Sequence, residues 1–127
     1  MTKLLDVTEL IVGYGEAIAL DAISFDIAAG EFVTFIGPNG AGKTTLLNSL
    51  MGVLTQKSGT VSFKGEDLAA LRPEARVARG MVIVPERREL FPQLSVEDHL
   101  RLGAFVRRRE ARAKLNADLE RIYVLLP

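Results

Sequence analysis

Apolar residues recur along the chain in short blocks, and the spacing inside each block predicts an element. Leu5, Val7, Leu10 and Val12 form a run that stops at Gly13-Tyr14-Gly15, which predicts a strand and then a turn. Ile18, Leu20, Ile23, Phe25 and Ile27, broken by Asp21 and Ser24, predict a second strand over residues 18–27. Ala29-Gly30-Glu31 predicts a tight turn into Phe32-Val33-Thr34-Phe35-Ile36. That run is almost wholly apolar, as in a strand covered on both faces. It ends at Gly37, and Leu46, Leu47 and Leu50 then stand at helical spacing within residues 43–51. Ser58-Gly59 predicts a turn into the short strand Thr60-Val61-Ser62-Phe63, closed by Lys64-Gly65. Pro73 suits the first turn of a helix that Gly80 ends. Met81-Val82-Ile83-Val84 predicts another buried strand, stopped by Pro85. Ser95 predicts a helix cap that accepts from the amide of Asp98. Leu115, Leu119, Ile122 and Leu126 predict a final amphipathic helix that reaches Pro127. With no repeat, linker or low-complexity stretch, the expectation is one unit.

Composition narrows the classes. The 127 residues are 48% hydrophobic and 25% charged, a globular balance rather than a disordered one. Lys plus Arg equals Asp plus Glu at 16 each, so no overall field favours nucleic acid, and no nucleic-acid partner is expected. Residues 101–127 carry seven basic side chains against three acidic ones, which leaves the negative excess to the rest. The absence of cysteine excludes disulfides and thiolate metal sites and suits a reducing cytoplasm. Asp6 comes too early for a signal peptide, and no apolar run is long enough to cross a bilayer. Any link to a membrane is expected to pass through a partner.

The most informative segment is Gly37-Pro38-Asn39-Gly40-Ala41-Gly42-Lys43-Thr44, placed between a strand pattern and a helix pattern. Triphosphate binding needs several amide donors converging on closely spaced oxygens. Gly37, Gly40 and Gly42 allow the backbone to curl and approach without side-chain clashes. The helix that begins near Lys43 adds unpaired amides and the positive end of its dipole. Lys43 supplies a point charge for the outer phosphates, and the Thr44 hydroxyl is a ligand for Mg2+, with Thr45 a second hydroxyl beside it. The expected ligand is ATP.

The stretch from Pro38 to Leu47, Pro-Asn-Gly-Ala-Gly-Lys-Thr-Thr-Leu-Leu, resembles the Walker A loop of ABC-type ATPases. The resemblance implies a P-loop NTPase fold of α/β class: an antiparallel β subdomain, the first part of a RecA-like core and the start of a helical subdomain, incomplete. Its divisions fall at 1–36 (β subdomain and P-loop strand), 37–52 (Walker A loop and helix), 53–94 (β segment, connector helices and Q-loop region) and 95–127 (start of the helical subdomain). Tyr14 matches the aromatic residue that stacks on adenine in that family; read alone it is also an ordinary turn aromatic. Ala19-Leu20-Asp21, Ser24-Phe25 and Gly30-Glu31 resemble the sheet that precedes the loop. Val84-Pro85-Glu86, where most of the superfamily has glutamine, is similar to the ATP-binding subunits of branched-chain amino-acid importers, and most to the second, F-type subunit. Phe91-Pro92, Leu94-Ser95-Val96-Glu97-Asp98, Leu100-Arg101-Leu102-Gly103-Ala104, Leu71-Arg72-Pro73-Glu74 and Arg79-Gly80 agree with it. Arg87 in place of glycine and His99 in place of asparagine depart from it.

Glu86 has two readings from the residues themselves, a ligand for magnesium-bound water or a partner of Arg87 or Arg88; the resemblance favours the metal shell. His99, the only histidine, is expected to be an exposed helix residue. Arg107-Arg108-Arg109 beside Glu110 is expected to be a solvated helix face rather than a lipid or nucleic-acid contact. The resemblance implies transmembrane permease subunits, a homologous ATPase subunit and, indirectly, an amino-acid-binding protein as partners. It places residues 95–102 toward the permease and the protein at the cytoplasmic face of a bacterial membrane. It covers about the first half of the family domain. The Leu-Ser-Gly-Gly-type signature, the acidic strand and the switch histidine do not occur, so beyond Lys43 no catalytic residue is expected. The chain is expected to be a truncated form of an ATPase, or else a nucleotide-binding fragment or regulator without turnover. Loss of the acidic strand is expected to leave a hydrophobic sheet edge open.

Overall fold

A computed structural model describes residues 2–127. Where the sequence shows no linker, the chain divides into two compact units, Met1–Ile83 and Val84–Pro127.

In the first unit, β1 (Lys3–Tyr14) and β2 (Ala17–Ala28) form an antiparallel hairpin. β3 (Ser58–Phe63) and β4 (Glu66–Asp67) extend it, also antiparallel, in the order β2-β1-β3-β4. The apolar positions of β1 keep period two through Leu5 and Val7, then slip before Leu10 and Val12. The structure absorbs the slip with a register shift between Val7 and Leu10, where Glu9 takes φ +50°. The Glu9 amide is held by Ser24 Oγ at 2.8 Å. Ala22, with φ +51°, accompanies the matching slip between Leu20 and Ile23 on β2. Such extra residues bend a strand and re-aim its side chains, so apolar residues on both sides of the slip reach one face. Leu5, Val7, Leu10, Val12, Leu20, Val61 and Phe63 are buried there.

Against that face packs α1 (Lys43–Leu50), through Leu46 and Leu50. α2 (Pro73–Ala78) has proline in its first turn and stops at Arg79, before Gly80 at φ +98°, as the sequence predicts. Arg79 grips Glu66 with two bonds of 2.5 and 2.6 Å, which ties the end of α2 to β4.

Two expectations are corrected. Neither residues 32–36 nor residues 81–84 form a strand. The sheet consists of β1 to β4, and among the described residues no segment pairs with either run. Phe32 and Ile36 are each 93% exposed and Val84 is 91% exposed, while Phe35 rests edge-to-face on Phe25 at 5.0 Å. Apolar composition expresses a preference for burial, whereas a strand also needs a neighbour for its amides and carbonyls. The P-loop strand placed within residues 1–36 is therefore an irregular segment.

In the second unit, α3 (Val96–Gly103) leads through a short 3₁₀ turn (Phe105–Arg107) to α4 (Arg112–Leu125). Ser95 caps α3 as predicted: its hydroxyl accepts from the Asp98 amide at 3.1 Å, and the Ser95 amide donates to the Asp98 carboxylate at 3.1 Å. His99 is half-buried. The Phe91 amide donates to its Nε2 at 3.0 Å, so Nδ1 carries the proton and donates to the Ser95 carbonyl at 2.8 Å. On α4, Leu119 is buried, and Leu115 and Ile122 line an apolar groove of about 570 Å³ facing α3. Leu126 lies past the helix end and is exposed, so the stripe stops at Ile122. Arg107 joins Glu110 at 2.9 Å and Asp118 at 2.6 Å, while Arg108 covers the Phe105 ring.

Hydrogen bonds from Arg107 and then Lys114 hold the Glu110 carboxyl at about 2, below its ordinary value of 4.5. A depressed carboxyl adds stability that is complete above its ordinary value and is lost as pH falls through the folded one. Acid titration followed by helical circular dichroism should show the wild type loosening between these limits. Glu110→Gln should lack that component.

Candidate phosphate-binding site

The loop after residue 36 and the hairpin tip meet at one cavity of about 560 Å³, lined by Tyr14, Ile18, Ala19, Asn39, Gly40, Gly42, Lys43, Thr44 and Thr45. Its floor is the amino end of α1. That end has no side-chain cap and no acidic residue in its first turn. α3 offers the contrast, since Ser95 caps it and Glu97 and Asp98 occupy its first turn. A helix leaves its first amides without intrahelical partners and carries partial positive charge there. At α1 these groups are left to whatever enters the cavity.

Gly42, the residue before α1, shows why the loop has this composition. Its φ is +94°, and a Cβ there would stand 2.6 Å from Leu20 Cδ2 and 3.2 Å from the Ala19 carbonyl oxygen. The loop thus lies directly on β2, which brings the hairpin tip to the phosphate end of α1. Gly40 also takes a left-handed φ, of +84°, but in open space.

Lys43 is folded across the loop. Its Nζ donates to the Pro38 carbonyl at 2.9 Å and also to the Gly37 carbonyl. Gly37 and Pro38 therefore do not line the cavity but hold the lysine, and Ala41 closes the turn through its amide to the Pro38 carbonyl at 3.1 Å. Thr44 is exposed toward the cavity, and Thr45 Oγ1 stands 3.5 Å from Tyr14 Oη. The donor set suits a nucleoside triphosphate with Mg2+: bare amides and an ammonium for anionic oxygens, a hydroxyl for a hard cation, and an aromatic face for a base.

Sequence reasoning missed Ile18 and Ala19 on the cavity wall. Ile18 pairs with Gly13 and Ala17 with Tyr14, so the hairpin register sets them beside the tyrosine. Ile18, an apolar residue two positions past the turn Gly15-Glu16, was the available signal, and it is half exposed in the structure. Lys57 Nζ donates to the Gly15 carbonyl and so pins the tip that carries Tyr14; nothing in the spacing announces it. Glu86 belongs to the unit Val84–Pro127, where it is exposed at a bend. Among the described residues neither Arg87 nor Arg88 stands within ion-pairing distance of it.

A profile of the ABC transporter family matches residues 20–125. The chain belongs to the ABC transporter family. It is 41% identical over 92 residues to a high-affinity branched-chain amino acid transport ATP-binding protein of Pseudomonas aeruginosa, a match over 72% of this chain and 40% of that protein. It is 33% identical to a probable branched-chain amino acid transport ATP-binding protein of Archaeoglobus fulgidus, over 92% of this chain and 50% of that one. A putative ribose/galactose/methyl galactoside import ATP-binding protein of Rhizobium meliloti is 34% identical, over 96% of this chain and 25% of its own length. Among solved structures, an ATP-binding subunit of an ABC transporter superposes with a TM-score of 0.75 at 34% identity, over 87% of this chain and 45% of that one. The chain thus spans half or less of the length of these relatives. The fold is that of the ABC ATPases, with the antiparallel sheet at its amino end.

The contacts at Gly42 generate an ordering of variants. Gly40→Ala should cost about 1–2 kcal/mol, from backbone conformation alone. Gly42→Ala should cost about 1–3 kcal/mol more, because its methyl group meets the buried Leu20. Urea unfolding of the two variants checks the order, and equal midpoints would contradict the close approach of loop and hairpin.

Proposed function

We propose that this chain binds ATP with Mg2+ and serves, within a longer protein, as the ATP-binding subunit of an importer for branched-chain amino acids. The observation that carries the first part is the uncapped amino end of α1, opening with Lys43 onto a cavity walled by Tyr14 and Ile18. Tyr14 presents its ring to the base. The amides at the start of α1 meet the phosphates. Lys43 leaves the Gly37 and Pro38 carbonyls for the outer phosphate oxygens. Thr44 would be the magnesium ligand from the loop, and the family resemblance adds Glu86 as the group that would hold a metal-bound water. Magnesium, held there, would supply neutralisation of the phosphate charge.

The solute assignment rests on the Pseudomonas and Archaeoglobus relatives and on the Val84-Pro85-Glu86 segment. The Rhizobium sugar-import relative matches at comparable identity, so a sugar is the competing solute. ATP closes a pair of homologous subunits, closure drives the transmembrane permease subunits, and hydrolysis resets the pair. The protein then works at the cytoplasmic face of the bacterial membrane, with a solute-binding protein as an indirect partner. Among the described residues no helix is long and apolar enough to cross a membrane. α3 is the candidate surface toward the permease: it has no buried residue and exposes Val96 and Leu102. The divisions at 1–36, 37–52, 53–94 and 95–127 follow from the same reading.

A second reading is a nucleotide-binding module without turnover, and an ATPase assay of the full-length protein separates the two.

A ligand that binds only the folded state stabilises it, by about 2.7 kcal/mol at about a hundred times its Kd. Mg-ATP should therefore raise the thermal midpoint of the wild type and leave Lys43→Ala unmoved; an equal rise in both would remove the nucleotide reading. In cells, Lys43→Ala in the full-length protein should abolish leucine and isoleucine uptake and spare ribose uptake. The reverse pattern would transfer the solute assignment to sugars.

A further inference from the structure

Arg76, on α2, is the one charged side chain buried among the described residues, at 5% exposure. No carboxylate among the described residues pairs with it. Four of its five N–H groups instead serve backbone carbonyls: Nε donates to Leu71 at 3.0 Å, Nη1 to Ser49 at 3.1 Å and to Leu50 at 2.7 Å, and Nη2 to Leu68 at 2.7 Å. Ser49 and Leu50 are the last residues of α1. The guanidinium thus binds the carbonyl end of the helix whose amino end faces the cavity.

The helix end is shaped for this contact. Gly52, at φ +79°, donates to the Ser49 carbonyl at 3.0 Å, and Val53 donates to Asn48 at 2.9 Å, closing the helix with a left-handed turn. A Cβ on Gly52 would stand 2.9 Å from Arg76 Nε, so the glycine also clears space for the guanidinium. Burial lowers the Arg76 pKa, and the nearby Asp67 charge opposes that shift. A desolvated cation with no ion partner is costly, and here carbonyl dipoles and the negative end of α1 offset the cost. α1 also packs through Leu46 and Leu50, and near its uncapped amino end its side chains bond outward, Lys43 to the Gly37 and Pro38 carbonyls and Thr45 to Tyr14 at 3.5 Å. Among the described residues, the side-chain bonds that reach the backbone of α1 come from Arg76.

We propose that Arg76 is a positioning residue for nucleotide binding: by fixing the carbonyl end of α1 against the turn at residues 68–71, it sets where the amino end meets phosphate. An eight-residue helix is about 12 Å long, so a rigid shift at one end is delivered to the other. The proposal rests on the reading of residues 37–45 as a nucleotide site, and its action is on the phosphate half of the ligand.

The test compares wild type, Arg76→Lys, Arg76→Met and Tyr14→Ala by calorimetric titration with Mg-ATP and with magnesium tripolyphosphate. Titrations are run at a temperature where each melting curve shows a folded protein. Both Arg76 variants should bind the two ligands about tenfold more weakly, and by the same factor for each. Tyr14→Ala should weaken ATP alone. Unchanged affinities, whatever happens to the melting temperatures, would overturn the proposal and leave Arg76 a residue of the fold only. A wild type that binds neither ligand would overturn the nucleotide reading and this inference with it. Should the Arg76 variants fail to fold, the wild type decides through the Nε–H resonance of Arg76. Coupling is reciprocal, so tripolyphosphate must slow the exchange of that proton with solvent; an unchanged exchange rate overturns the proposal.

Discussion

An eight-residue helix is too short to persist by its own hydrogen bonds, so the placement of α1 must come from outside it. One flank is given to the sheet through Leu46 and Leu50, and its carbonyl end to Arg76. What remains is an amino end with neither cap nor neighbouring carboxylate. In α3, where no phosphate is called for, the sequence supplies both. The open end of α1 is tolerable because the other restraints are strong, and the rest of the site is arranged around it. The hairpin tip lies over Gly42 because Gly42 has no side chain, and Tyr14 stands across from Thr45 for the same reason.

The loop was legible because its chemistry is local. Glycines, lysine and threonines at fixed offsets, followed at once by helical spacing, need no distant partner to be recognised. The caps were legible on the same ground: Ser95 with Asp98, Pro73 with Gly80, and the turn at Lys64-Gly65 each declare themselves within a few residues. The bulges in the hairpin were half visible. The apolar positions of β1 break step between Val7 and Leu10, and the backbone follows that break rather than the period.

What the residues could not announce is pairing over distance. Phe32 to Ile36 has the composition of a central strand, but a strand exists only where another backbone lies alongside, and that is a property of two segments. The same holds for Arg76. From its neighbours it reads as one more basic residue in an arginine-rich stretch, and its four carbonyl partners lie between 5 and 27 residues away. Lys57 reaches the Gly15 carbonyl across 42 residues. The family resemblance supplied the fold where local spacing could not, and the fold is shared with solved ABC ATPase structures.

The posture of Lys43 has a consequence for the energetics of occupation. Its ammonium already has two acceptors, the carbonyls of Gly37 and Pro38. A phosphate arriving at the cavity therefore exchanges bonds with the loop instead of adding bonds to a free charge. The enthalpy released is smaller than a count of contacts in the occupied state implies. The observed dissociation constant is also scaled by the fraction of molecules whose lysine has already turned away. Affinity in such a site is set as much by how weakly the loop holds its own lysine as by how strongly the ligand does.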